Sequence, residues 1–251
     1  IATMKAHPVP QYTDWYANVP AIQDNSKYTA SFITRMDSDG IIRKYPLFSR
    51  AGAKVGSSYI PSLALQMYLL AKNYRAEVSL IDNPKKQEKK IASFKIFDAS
   101  FDKEALYDVP VDSFSQLKLN YYGPQRSFYY VSAKELLTKD QKTIEAQIWN
   151  GNETITQTFD KKAFFKDRTV LVGATALGTN DLRNTPIQNA MPGPDIHLTA
   201  LANLLERHFL LDIPNSQTII PAVTLAIGLI FTSIWIWGSA LISLAIFFIQ
   251  V

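Results

Sequence analysis

The chain has 251 residues, 47% of them hydrophobic, with a mean hydropathy of −0.04 and a formal net charge of +4. That is enough for one globular core with a further element beside it. Cysteine is absent, which excludes disulfides, thiolate metal centres and cysteine nucleophiles. The charge is dispersed and no basic stripe carries interleaved aromatics, which argues against nucleic acid as a partner.

Residues 1–30 have no strong period, and the three prolines of "HPVPQYTDWYANVPAI" read as loop with short elements. Two β-prone runs follow, Ser31 to Arg35 and Ile41 to Phe48. They flank "DSDG", where Asp37 and Asp39 fold back on the backbone and Gly40 takes positive φ. This predicts a hairpin-type connection. "IPSLALQMYLLAKNY" predicts a helix started by Pro61 and Ser62, with Leu63, Met67 and Leu70 as its apolar stripe and Leu69 beside it. "AEVSLID" and "IASFKIF" predict strands around the basic run "KKQEKK", Lys85 to Lys90. That run reads as a solvated loop or helix start, with lipid headgroups as the alternative partner. "QLKLNYYGPQRSFYYVSAKELL" predicts a strand, a Gly123-Pro124 turn, a second strand and a helix with a Ser132/Glu135 capping box.

Thr143 to Trp149 and Glu153 to Phe159 alternate around Asn150-Gly151-Asn152, a strong hairpin signal. Thr169 to Val172 is short and continuously apolar, as in a strand covered on both faces. "DIHLTALANLLER" predicts a helix with Asp195 near its positive end. No period of 20–50 residues repeats. Interleaved strands and helices predict an α/β fold with a mixed β-sheet and packed helices.

After Asp212 no charged residue occurs as far as Val251. Thr218 to Trp237 has the length and composition of a transmembrane helix. Pro221 is placed in its first turn, and Thr218, Thr232 and Ser233 return their hydroxyls to the backbone. One straight helix to Val251 would span about twice a bilayer core. "WIWGSA", Trp235 to Ala240, is therefore expected to turn at the interface. A second, truncated helix from Leu241 would complete a transmembrane helical hairpin. The expected domains are residues 1–215, with 143–159 as a hairpin insertion, and transmembrane residues 216–251. A start at Ile1 and an end inside a span suggest a fragment of a longer protein.

The stretch "VLVGATALGTNDLRNTPIQNAMPGPDIH", Val170 to His197, invites a nucleotide reading. Gly173 and Gly178 are five apart, and neither G-x-G-x-x-G nor a Walker lysine is present. Aligning Gly40 with an EF-hand glycine places Arg35 and Pro46 where two ligands belong, so a turn is the better reading of "DSDG". His197 has no metal-ligand spacing, and no H-E-x-x-H or G-x-S-x-G motif exists. No catalytic residue, metal or cofactor is assigned. Asp181 and Arg183 could bind a small anion, but are better read as neutralising each other or tying their loop to Pro186. The whole stretch is read as a structural brace. In it Gly173 lets the chain leave the sheet, Pro186 and Pro192 stiffen the return, Gly193 supplies a permissive turn, and His197 faces inward and ties helix to loop.

The chain resembles the second type of CHASE domain, the cyclase/histidine-kinase-associated sensing extracellular module of bacterial receptors. Four blocks carry the resemblance. They are "DSDGIIRKYPL" with Asp39, Gly40 and Arg43; "YIPSLALQ" with Pro61 and Ser62; "LNYYGP" with Asn120, Gly123 and Pro124, followed by "FYYVSAKELL"; and the Val170 to His197 stretch. The resemblance implies an extracytoplasmic (periplasmic-side) sensor anchored in the inner, cytoplasmic membrane. It also implies signalling through membrane helices to a cyclase or kinase output outside these residues. It supplies no ligand-binding residues. The partners it implies are the membrane and an unidentified extracytoplasmic ligand or protein, with a homodimer among the arrangements it allows. The competing readings are a membrane-tethered envelope hydrolase, which would bring His197, Asp181 and a serine together in an open cleft, and an envelope assembly module without a ligand.

Overall fold

The computed structural model describes residues 11–12, 19–51, 59–83, 88–100, 104–112, 114–175, 181–211 and 216–249. The chain divides into two compact units, Ile1–Leu210 and Leu211–Val251. Gly178, Lys85, Pro214 and His7 lie outside the described residues.

In chain order the first unit runs β1 (Gln11–Tyr12), α1 (Pro20–Gln23), β2 (Lys44–Pro46), β3 (Phe48–Ala51), β4 (Tyr59–Pro61), α2 (Leu63–Lys72), β5 (Tyr74–Asn83), β6 (Glu88–Asp98) and β7 (Ala105–Asp108). It continues β8 (Gln116–Lys118), β9 (Tyr130–Val131), α3 (Ala133–Leu137), β10 (Thr143–Trp149), β11 (Thr154–Asp160), α4 (Lys161–Phe165), β12 (Leu182–Arg183), β13 (Met191–Pro192) and α5 (Gly193–Glu206). The second unit contributes α6 (Ser216–Ile249). The fold is mixed α/β, but the strands form several small sheets rather than one: β1-β3-β4, β2-β8, β5-β6-β7, β9-β10-β11 and β12-β13. Among the named strands only β1 and β3 pair in parallel.

The main core draws one stripe from each layer. Ile42, Tyr45 and Leu47 come from the β2 region, Ala64, Leu65 and Tyr68 from α2, Phe94 and Ile96 from β6, and Ile196, Ala200, Leu201 and Leu204 from α5. The α5 residues recur at helical spacing, so one face of the helix is apolar and buried. The buried face of α2 is Ala64, Leu65 and Tyr68, not the predicted stripe; Leu70 is exposed. The spacing rule fits both stripes, and contact with α5 decides between them. A smaller cluster of Ile144, Ala146 and Phe164 lies within the β9-β10-β11 module.

The hairpin around Asn150 forms as predicted, with Trp149 opposite Thr154 and Thr143 opposite Asp160. Asn150 Oδ1 accepts from the N–H groups of Asn152 and Glu153, both at 2.9 Å. β6 begins at Glu88, so the end of the basic run is strand, not loop or helix. The "DSDG" turn also forms, with Gly40 at φ +79° and its N–H on the Asp37 carbonyl. Its flanks do not build a two-stranded ladder. Ser31 bridges Ser62 and β2 pairs with β8. Ser132 caps α3 through Lys134 N–H, while Glu135 turns to Gln141, so the predicted capping box is only half made.

Two expectations are corrected. Thr169 to Val172 is not a strand, and Val170 and Val172 are exposed. No strand among the described residues pairs with it, and an apolar run without a ladder partner has nothing to hold it in a sheet. Gly173 is therefore not a sheet exit. The predicted turn at Trp235 to Ala240 is absent as well, because α6 runs without interruption from Ser216 to Ile249. An isolated glycine in a helix costs only about 1 kcal/mol, so Gly238 within an apolar helical run does not end α6 by itself. Ser239 bonds back to the Ile236 carbonyl inside the predicted turn. Pro221 is inside the helix, since α6 starts two residues earlier than expected. Thr232 and Ser233 return their hydroxyls to the backbone as predicted, joined by Thr224. Thr218 to Ser239 is long and apolar enough to cross a membrane.

Candidate functional site

Helix α5 concentrates the buried polar chemistry of the first unit. Asp195, His197, Thr199 and Asn203 are all buried. A buried polar group without a partner costs free energy, so each one fixes the position of whatever it bonds. Asn203 is fully buried and grips the backbone of Asn120 twice: Oδ1 accepts from its N–H and Nδ2 donates to its carbonyl, both at 2.9 Å. Two bonds to one residue's main chain imitate the exchange between paired strand residues. Near the end of the helix, Glu206 accepts from the Tyr122 hydroxyl at 2.9 Å.

His197 meets the Tyr45 hydroxyl through Nδ1 at 2.7 Å, with the rings edge to face at 5.5 Å. Burial pulls the imidazole down to about 4 and pushes the Tyr45 phenol up. Near neutral pH the imidazole is therefore uncharged, and its Nδ1 shares a hydrogen bond with the phenol whose direction follows the tautomer. The same phenol oxygen lies 3.4 Å from the Ala64 N–H at the start of α2. Tyr45 thus joins β2, α2 and α5. His197 ties its helix to a strand, not to the loop as predicted.

Asp195 accepts from the Tyr130 hydroxyl through Oδ1, while its buried Oδ2 has no partner. Burial raises its carboxyl, opposed by the Tyr130 bond and by Arg126. Tyr130 belongs to β9, so this contact joins α5 to the hairpin module.

Asp181 and Gly193 hold the loop ahead of α5. The Asp181 carbonyl accepts from Gly193 N–H at 2.8 Å, and a Cβ at Gly193 would run into the Asp181 carboxylate. Arg183 approaches Asp181 at 3.5 Å. Gly173 abuts Pro194, where a Cβ would stand 2.5 Å from Cγ. Pro192 pairs with Leu182 across β12-β13. Pro186 is exposed in the turn closed by Thr185 and Gln188. Asp181 therefore serves the start of the helix and does not tie the loop to Pro186.

The remaining block residues also act on the scaffold. Arg43 bonds Asp37 at 3.0 Å and Asp39 at 2.7 Å. The Arg43 guanidinium and the Ile41 N–H hold the Asp39 carboxyl at about 2. Both aspartates of the "DSDG" turn thus face a cation of their own chain. Pro61 accepts from Ser31 N–H, and buried Ser62 caps α2 at Leu65 N–H, 3.4 Å away. A Cβ at Gly123 would meet Ser127 Oγ, which donates to the Pro124 carbonyl at 2.7 Å.

The Nδ1 partner of His197 is Tyr45, and Asp181 faces Gly193 and Arg183, so these residues do not form the arrangement a hydrolase reading requires. Sequence reasoning singled out His197 and Asp181 but missed Tyr45, Tyr130 and Asn203. Asn203 carried a usable signal, since an amide between Ala200 and Leu204 on an apolar face needs a buried partner. The two tyrosines carried none, because their partners lie far away in the chain.

No curated protein and no solved structure matches the chain. The model of the CHASE2 domain, a sensory family, matches residues 4–244, from near the start of the chain through most of α6. With nearly the whole chain matched, and its four blocks gathered on β2, α2, the Asn120 segment and the start of α5, the chain belongs to the CHASE2 domain family.

Proposed function

We propose that this chain is the extracytoplasmic sensing region of a bacterial transmembrane receptor. Its first unit faces the outside of the inner membrane. Helix α6 crosses the bilayer and leads to a cytoplasmic cyclase or kinase output. The observation that carries this reading is the tethering of α5, the last element before α6 in the chain. Four side chains of α5 bond three separate segments, at Tyr130, at Tyr45, and at Asn120 and Tyr122 of one loop. A helix tied to β2, β9 and the loop after β8 cannot stay put when one of them moves. A ligand or partner that binds one arrangement better therefore shifts the population that α5 reports.

Reporter fusions test the topology. Alkaline phosphatase joined after Ser100 is expected to be active, and joined after Ile249 inactive, as a single crossing requires. Equal activity at both positions defeats the reading. A cyclase or kinase sequence downstream in the same gene tests the output.

A further inference from the structure

The β5-β6 sheet has an unevenly covered face. Val78 stands opposite Phe94 and Ala76 opposite Ile96, so each pair shares a face. Phe94 and Ile96 are fully buried, yet Ala76, Val78 and Leu80 on the neighbouring strand are only half covered. The α2 side chains Leu65 and Leu69 close one side of the space above them, and Phe48 and Tyr59 of β3 and β4 close another. What remains is a cavity of about 440 Å³. Protein interiors are close-packed, and lining atoms around a void lose their dispersion contacts. This volume falls in the range of about 300–1,000 Å³ that takes a small organic molecule.

We propose that the cavity walled by Phe48, Tyr59, Leu65, Leu69, Val78 and Phe94 binds a small, uncharged, ring-bearing apolar molecule, which is the signal the domain senses. Among the described residues the lining contains no charged side chain, so a charged ligand would give up its hydration with no counter-charge from them. Phe48 stands edge to face with Tyr59 at 6.0 Å and tilted against Phe94 at 5.7 Å. This aromatic wall offers both ring edges and ring faces, the two surfaces that aromatic pairs use. Tyr59 is half exposed and marks the mouth. Leu65 sits in the same core cluster as Ile196, Leu201 and Leu204, so an occupant pressing on α2 presses on α5. That consequence rests on the sensing function proposed above; the binding itself does not.

The test uses the full chain in lipid nanodiscs, titrated calorimetrically with 2-naphthol and with the anion 2-naphthoate, and empty nanodiscs as the blank. The neutral ring is expected to bind saturably at one site, with the anion weaker by at least about ten-fold. Ala76→Phe, which puts a ring into the cavity, is expected to weaken 2-naphthol by at least about ten-fold while keeping the native melt. If Ala76→Phe loses that melt, Leu80→Phe takes its place in the comparison. The proposal is overturned if wild type shows no saturable binding, if both compounds bind alike, or if a folded cavity-filling variant binds like wild type. Binding that survives a failed topology test removes the sensor and leaves the site. Failed binding with the expected topology does the reverse.

Discussion

Helices α5 and α6 solve the same problem in opposite ways. Each carries polar side chains among apolar ones. Three buried polar groups of α5 reach outward, Asn203 to Asn120, His197 to Tyr45 and Asp195 to Tyr130, while Thr199 bonds the Asp195 carbonyl of its own helix. The hydroxyls of α6 turn inward, Thr224, Thr232, Ser233 and Ser239 all bonding their own helix's carbonyls. The apolar residues differ likewise. Ile196 and Leu204 of α5 are fully buried, whereas Phe231 and Trp235 of α6 are 69% and 80% exposed. Helix α5 is positioned by addressed contacts, each with one correct partner. Among its described residues α6 has no such address, and its length and composition suit an apolar medium.

The sharpest way to break this contrast is to make the same deletion in both helices. Ile196→Ala removes a fully buried side chain and is expected to cost about 2–5 kcal/mol of the domain's stability. Ile227→Ala, at a 48% exposed position of α6, is expected to change it by less than about 0.5 kcal/mol. Chemical denaturation of the two variants in the same detergent measures both. Similar losses would make α6 an ordinary core helix.

Next in size is a pH effect specific to α5. His197 is pulled from an ordinary 6.5 to about 4 by burial. Between those values the unfolded chain binds the proton more readily than the folded one. His197 thus contributes stability that is complete above about pH 6.5 and is lost as pH falls toward 4, up to about 3 kcal/mol. Asp195 acts in the opposite sense. Its carboxyl is raised, so stability falls as pH rises from its unfolded value through its folded one. His197→Gln keeps a hydrogen-bonding group for the Tyr45 hydroxyl, as donor or acceptor, without the titration. Its melting temperature is expected to vary less than wild type between pH 6.5 and 4.5. An unchanged pH profile would mean that the imidazole is not held neutral by burial.

How legible each region was in the sequence follows from how local its causes are. The Asn150 hairpin was legible because the turn chemistry and the alternation of both strands lie within 143–160. The α2 and α5 helices were legible from their periods, and α6 from the long run without charge. Thr169 to Val172 was misread because an apolar run becomes a strand only if a partner ladder exists, which no short window reveals. The α6 turn was misread because it rested on matching length to bilayer thickness, while the local stop signal is one glycine worth only about 1 kcal/mol. His197 was legible as inward-facing. Its partner was not, since Tyr45 stands 152 residues away.

A smaller effect measures the double grip on Asn120. Asn203→Ala leaves an N–H and a carbonyl of Asn120 without their side-chain partners. The segment is only part-buried, so water recovers some of the loss. The expected cost is about 2 kcal/mol. Hydrogen exchange at the Asn120 amide is expected to rise along with it. A stability loss without faster exchange there would show that Asn203 acts through packing alone.

The smallest effects separate the two glycines at the start of α5. A Cβ at Gly173 would meet Pro194 Cγ at 2.5 Å. That atom belongs to a ring fixed by the backbone, so relief requires the chain at 173 to move. Gly173 is exposed and can move in part, which keeps the expected cost of Gly173→Ala near 1 kcal/mol. At Gly193 the clash is closer, yet its partner is the Asp181 carboxylate, the end of a half-exposed side chain. Swinging that group aside gives up only the 3.5 Å approach to Arg183. Alanine at a helical position also gains up to about 1 kcal/mol over glycine. Gly193→Ala is therefore expected to melt within a degree or two of wild type, since its net change is below about 0.5 kcal/mol. In an Asp181→Ala background the same change is expected to raise the melting temperature, because the obstacle is gone and the propensity gain remains. A fall in that background would mean that Gly193 is required by its backbone, not by its neighbour.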